Sequence, residues 1–143
     1  MSGELLFSVC STAVVPGWLL LVFLPNWRWT TRLITSFLIP ALLGLVYFGI
    51  FVSRAQVVPE GGGFGSAAEV AILFSNPYLL TAGWVHYLAF DLFVGSWEVR
   101  DGKQQGINHF LVVPCLLLTF LLGPTGLVLY LIIRLVKTKR FTL

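Results

Sequence analysis

Charge is what this chain has least of. Nine Lys and Arg and six Asp and Glu among 143 residues make it 10 % charged, against about 25 % in an average soluble domain. So few charges cannot clothe a water-facing surface, and a soluble fold is excluded. Basic runs are also missing: apart from RLVKTKR near the end, the cations are scattered, so the net charge of +3 does not point to nucleic acid. That tail reads as a juxtamembrane anchor at anionic headgroups. Two cysteines, Cys10 and Cys115, fit no metal motif, and two histidines, His86 and His109, lack the H-x-x-x-H spacing of a metal site. Neither a metal nor another cofactor is expected, and no N-x-[ST] sequon is present.

Apolar residues are abundant instead. The chain is 57 % hydrophobic, with five Trp, twelve Phe and a mean hydropathy of +0.91. Four stretches reach the length of about 20 apolar residues that crosses a bilayer: residues 4–24, 33–53, 78–98 and 110–136. The predicted fold is all-α, a single integral membrane domain over 1–143 built as a four-helix transmembrane bundle. Pro16, Pro40 and Pro114 kink three of the helices and free the carbonyls of Thr12, Ser36 and Phe110. Between the second and third spans, GSAAEVAILFSNP predicts a short interfacial helix capped by Ser66. The GGGFG stretch at 61–65 has neither the preceding strand nor the Lys of a phosphate loop, and reads as a flexible connection. The amino terminus has no basic n-region or cleavage site and is expected to stay as the first span.

Four spans put both termini on one side. Arg54, Arg134, Lys137, Lys139 and Arg140 then face Arg28, Arg32, Arg100 and Lys103 across the membrane, which leans towards cytoplasmic termini. Cys10 and Cys115 fall on the order of 10–15 Å apart in depth, too far for a disulfide.

The third span carries His86, Asp91 and Glu98. At about 100° per residue, Trp84, Tyr87, Asp91, Gly95 and Glu98 share one stripe, while His86, Phe90, Phe93 and Trp97 lie roughly opposite. A carboxylate as deep as Asp91 costs a few kcal/mol unless it faces the bundle, finds donors or takes up a proton. Its expected neighbours by depth are Pro16 to Trp18, Pro40 and Thr119, with no Lys or Arg at that level. Arg100, Asp101 and His109 form, with Glu98, a polar cluster at the span boundary, where charges sit in headgroups and pair locally. His86 and His109 lie on the order of 18 Å apart in depth and cannot share one haem. His86 is open to three readings: a hydrogen-bonded structural group, a proton carrier or a ligand.

WVHYLAFDLFVGSWEVRD at 84–101, with NPYLL at 76–80, HFLVVP at 109–114 and LLGPTGLVLY at 121–130, resembles the abscisic-acid-deficient-four-like membrane proteins. The resemblance runs from Asn76 onward; the first half agrees in hydropathy. It implies a role in xanthophyll conversion of the violaxanthin-to-neoxanthin type, an intramolecular isomerisation in which an epoxide opens while a neighbouring polyene carbon loses a proton. Such chemistry needs an acid and a base and no redox cofactor. The candidate catalytic residues are Asp91 as acid with His86 or Glu98 as base; Trp84, Tyr87 and Trp97 are candidate contacts for the polyene. The implied partners are a carotenoid or related isoprenoid, the lipid bilayer, and a second copy or a carotenoid-pathway enzyme. Lacking an Arg- and Ser-rich transit peptide, the chain is expected in a bacterial plasma or thylakoid membrane, or in a chloroplast membrane as a processed product. A non-catalytic pigment-binding or partner-stabilising role is the competing reading.

Overall fold

The computed structural model describes residues 2–34, 38–54 and 57–141. Their regular structure is helical: α1 (Gly3–Phe23), a π-helical turn at Thr30–Ile34, α2 (Leu38–Arg54), α3 (Ala67–Leu73), α4 (Pro77–Gln104), α5 (His109–Leu122) and α6 (Pro124–Thr138). Among the described residues, three apolar segments are by length and composition long enough to cross a membrane: α1, the segment that ends in α2, and α4. Part of the second predicted span, with Ser36, whose carbonyl Pro40 was expected to free, lies outside the described residues. The short helix between the second and third spans is present as α3, and Ser66 caps it as expected, its Oγ accepting from the Glu69 amide at 3.2 Å.

The bundle is organised around α4. Pro77 occupies its first turn and Asn76 caps it, accepting from the Tyr78 amide at 2.9 Å. Its 28 residues rise about 42 Å, so it runs past residue 98, where the third span was expected to end. α1 lies alongside in the same direction: Gly3 packs on Pro77, Ser11 accepts from Trp84 Nε1 at 2.8 Å, and the Trp18 ring fills the notch left by Gly95. A Cβ at residue 95 would sit 2.7 Å from that ring, so only glycine fits. α2 runs the other way, since Ile34 just before it accepts from Ser96 at 2.9 Å while Tyr47 reaches His86 with ring centroids 5.7 Å apart.

The predicted fourth span, 110–136, is not one helix. α5 starts at the C-terminal end of α4 and descends to Gly123, whose missing Cβ would lie 3.0 Å from Asp91 Oδ1. There Gly123 adopts φ +49°, Pro124 opens α6, and the chain climbs back to set Tyr130 and Arg134 against Asp101. With 14 and 15 residues, each arm is about 21–23 Å long, short of a hydrocarbon core of about 30 Å. The hairpin closes tightly because Gly126 presses on the Thr119 backbone and the Cys115 carbonyl.

This corrects the topology. Ser2 lies at one end of the bundle and Lys139 at the other, so the termini do not share a side. Arg134, Lys137, Lys139 and Arg140 move to the end that already holds Arg28, Arg32, Arg100 and Lys103, leaving Arg54 as the cation at the opposite end. Counted this way, the positive-inside rule would set the C-terminal end of α4, and Lys139 with it, on the cytoplasmic side, so of the two termini expected there the N-terminus changes side. Cys10 and Cys115 are both buried and unbridged, as their depths required.

Single cysteines placed at Ser2 and Lys139 should label with a membrane-impermeant maleimide from opposite faces of oriented vesicles; labelling from the same face would restore a full fourth span. A Cβ at residue 126 has no room, so Gly126→Ala should lower stability by about 1–3 kcal/mol, read from unfolding in detergent.

Candidate functional site

Eight polar or charged side chains are buried among the described residues, and they sort by location. Thr30, Thr81 and Ser96 are satisfied by backbone carbonyls, those of Leu24, of Pro77 and Gly3, and of Ile34. These are joints between helices. The other five, Asp91, Glu98, Asp101, Thr119 and Arg134, all lie where α4 meets the α5–α6 hairpin.

Their surroundings differ along the column. Asp101, nearest the C-terminal end of α4, is well partnered: Arg134 Nε donates to Oδ2 at 2.7 Å, Tyr130 donates to the same oxygen at 2.6 Å, and Gln105 donates to Oδ1 at 3.4 Å. One turn deeper, Glu98 is fully buried; Thr119 donates to Oε1 at 3.0 Å, but Oε2 has no partner among the described residues. Two turns further, Asp91 faces the hairpin tip beside Gly123 and Tyr87, and its Oδ2 likewise has no partner. An ionised carboxylate in so dry a place is costly unless a donor or counter-charge reaches it.

Below the tip the hairpin covers nothing. The rings of Phe7, Trp84 and Tyr87 stack there in series, with centroids 5.1 and 5.2 Å apart, and form an outward-facing aromatic strip that ends beside Asp91. Tyr87 also reaches the Phe120 carbonyl at 3.5 Å, which ties the strip to the end of α5. A flat conjugated chain could lie along these rings while its terminus met the Asp91 carboxyl.

The structure therefore joins Asp91, Trp84 and Tyr87, and adds Glu98 from above. It does not join His86 to them. His86 faces outward on the other side of α4, against Tyr47 and Phe90, and lines an apolar groove of about 500 Å³ with Tyr47, Phe51, Phe74 and Gly83. Trp97 packs edge-on against Tyr130, away from the strip. The boundary reading fails for Glu98 and Asp101, which are 0 % and 7 % exposed because the returning hairpin covers them. It holds for Arg100, which faces outward. His109 instead donates from Nε2 to the Val22 carbonyl at 2.9 Å, tying the last turn of α1 to the first turn of α5. Arg134, expected in the headgroups, is buried at 5 % exposure on Asp101. Of the depth neighbours expected for Asp91, Thr119 serves Glu98, and Gly123 takes its place at the tip. Among the described residues no three His, Cys, Asp or Glu side chains converge as a metal cage would require.

Thr119, Gly123, Tyr130 and Arg134 were not among the site residues expected from the sequence. A signal for Gly123 was present in the Gly-Pro pair of LLGPTGL, a turn mark inside an apolar run. Removing one partner of the buried pair should be severe: Arg134→Ala leaves Asp101 uncompensated and should cost about 3–5 kcal/mol. The double variant Asp101→Asn, Arg134→Met should recover a large part of that loss in the same unfolding measurement.

Residues 5–130 match the ABA DEFICIENT 4-like family. Protein ABA DEFICIENT 4, chloroplastic, from Arabidopsis thaliana is 26 % identical over 148 residues, covering 94 % of this chain and 63 % of the relative, so the chain spans less than two thirds of that protein's length. No solved structure matches it. The match takes in α1 to the middle of α6, with Asp91, Glu98, Asp101 and the hairpin tip all inside it, and the chain belongs to the ABA DEFICIENT 4-like family.

Proposed function

We propose that this protein acts within the membrane on a xanthophyll, isomerising an epoxide end group to an allene in the manner of violaxanthin-to-neoxanthin conversion, with Asp91 as the reacting acid. The observation that carries the reading is the position of Asp91: a buried carboxyl with an unpartnered oxygen at the end of an outward-facing aromatic strip. Membership of the ABA DEFICIENT 4-like family supports a xanthophyll as the substrate class.

One carboxyl is enough for the chemistry. The proton on one Asp91 oxygen passes to the epoxide oxygen as its C–O bond breaks and becomes part of a hydroxyl. The proton on the adjacent polyene carbon passes to the second Asp91 oxygen, and the electron pair it leaves forms the new double bond of the allene. Atoms and charges balance, and Asp91 finishes protonated as it began. This assignment removes the need for His86, which lies across the helix. It also relieves Glu98, about 10.5 Å further along the axis and fully covered, of a direct role as base. Trp84, Tyr87 and Phe7 hold the conjugated chain, and exclusion of water at the tip strengthens each contact to the carboxyl.

A second reading, pigment binding without chemistry, draws on the apolar groove around His86, whose about 500 Å³ falls within the range of small-molecule pockets. Expression in a violaxanthin-accumulating host without this family separates the two. Conversion predicts a new allenic pigment in extracts, lost in Asp91→Asn and retained in His86→Ala. An unchanged pigment profile with violaxanthin copurifying would replace catalysis with binding.

A further inference from the structure

The reaction above leaves Glu98 unused, yet the bundle buries it completely. Its environment is unusual. Oε1 accepts one hydrogen bond, from Thr119, and Oε2 accepts none from the described residues. That is the pattern of a carboxylic acid whose carbonyl oxygen is held and whose hydroxyl is left to donate.

The groups facing it continue the pattern. Asp91 and Asp101 lie on the same helix face, Cys115 and Thr119 approach from α5, and Tyr130 and Arg134 from α6. Asp101 is fixed as an ion pair, its charge neutralised by Arg134. Gln105, half-buried, extends the column to the end of α4. An apolar interface would bind the hairpin without these groups, and carboxyls inside apolar segments mark ion or substrate pathways and proton relays.

We infer that Glu98 is a proton carrier between Asp91 at the hairpin tip and water at the basic end of the bundle. The rise from Asp91 to Glu98 is about 10.5 Å and from Glu98 to Asp101 about 4.5 Å. The longer step is crossed when Glu98 turns off Thr119 towards the tip. Thr119 then sets the resting position of the carrier, and the Asp101–Arg134 pair marks its outlet. This route holds whether or not Asp91 acts on a xanthophyll, because it concerns how the Asp91 proton is exchanged.

Infrared spectroscopy of the protein in bilayers tests it without any pigment. Protonated-carboxyl bands are assigned with Asp91→Asn and Glu98→Gln, and their shift is followed after transfer to D2O. Both bands should be present in the wild-type protein. In Glu98→Gln, which keeps the size of the side chain and its acceptor oxygen for Thr119, the Asp91 band should exchange several-fold more slowly; in Glu98→Asp, which keeps a carboxyl, exchange should approach the wild-type rate. Equal exchange of Asp91 in Glu98→Gln and wild type, or the absence of a protonated-carboxyl band from Glu98, would overturn the proposal. Loss of isomerisation in Asp91→Asn with exchange unaltered by Glu98→Gln would retain the proposed reaction and remove this route.

Discussion

The bonds that Arg134 and Tyr130 make to one oxygen of Asp101 fix where the hairpin stands. They close the open end of α5 and α6 against α4, while the Gly126 contact closes the turn end. With both ends held, Gly123 has one level at which to meet α4, and that level is Asp91. Burying such a charge pair is rarely a net gain in stability. Here its value is positional: an apolar hairpin can slide by a turn, and a charge that must find one partner cannot.

Other parts of the bundle serve the same placement. Gly95 lets Trp18 close the flank of the column, with Phe120 tilted against its ring at 5.3 Å. His109 joins the end of α1 to the start of α5, so the hairpin is tied to two of the long helices. The carboxyls are then held by helices and not by loops, which keeps their spacing fixed.

Much of this was legible in the residues. The three long apolar segments, the Ser66 cap and the stripe of Trp84, Tyr87, Asp91, Gly95 and Glu98 follow from local spacing, and the structure has them where spacing puts them. The hairpin was not, because hydropathy averages over residues 110–136 and returns one apolar length whether the chain continues or doubles back. Gly123 and Pro124 carried the contrary signal, but a Gly-Pro pair in a membrane segment also fits a kinked single helix. Everything that depended on the doubling back was misplaced with it: Arg134 in the headgroups, Glu98 and Asp101 at a boundary, the termini on one face. Pairs such as Asp101 with Arg134 are set by tertiary packing, and no periodicity within one helix reports them.

The half-depth hairpin also gives the molecule an outline. At the end of the bundle that holds Lys139, α1, α2, α4, α5 and α6 stand together; at the opposite end α1, α2 and α4 remain, with the short α3 beside them. Set in a bilayer, such a wedge would displace more lipid from one leaflet than from the other. Lateral pressure in the crowded leaflet would then bear on the hairpin, and membrane curvature and lipid packing would act as a load on the contact between Gly123 and Asp91.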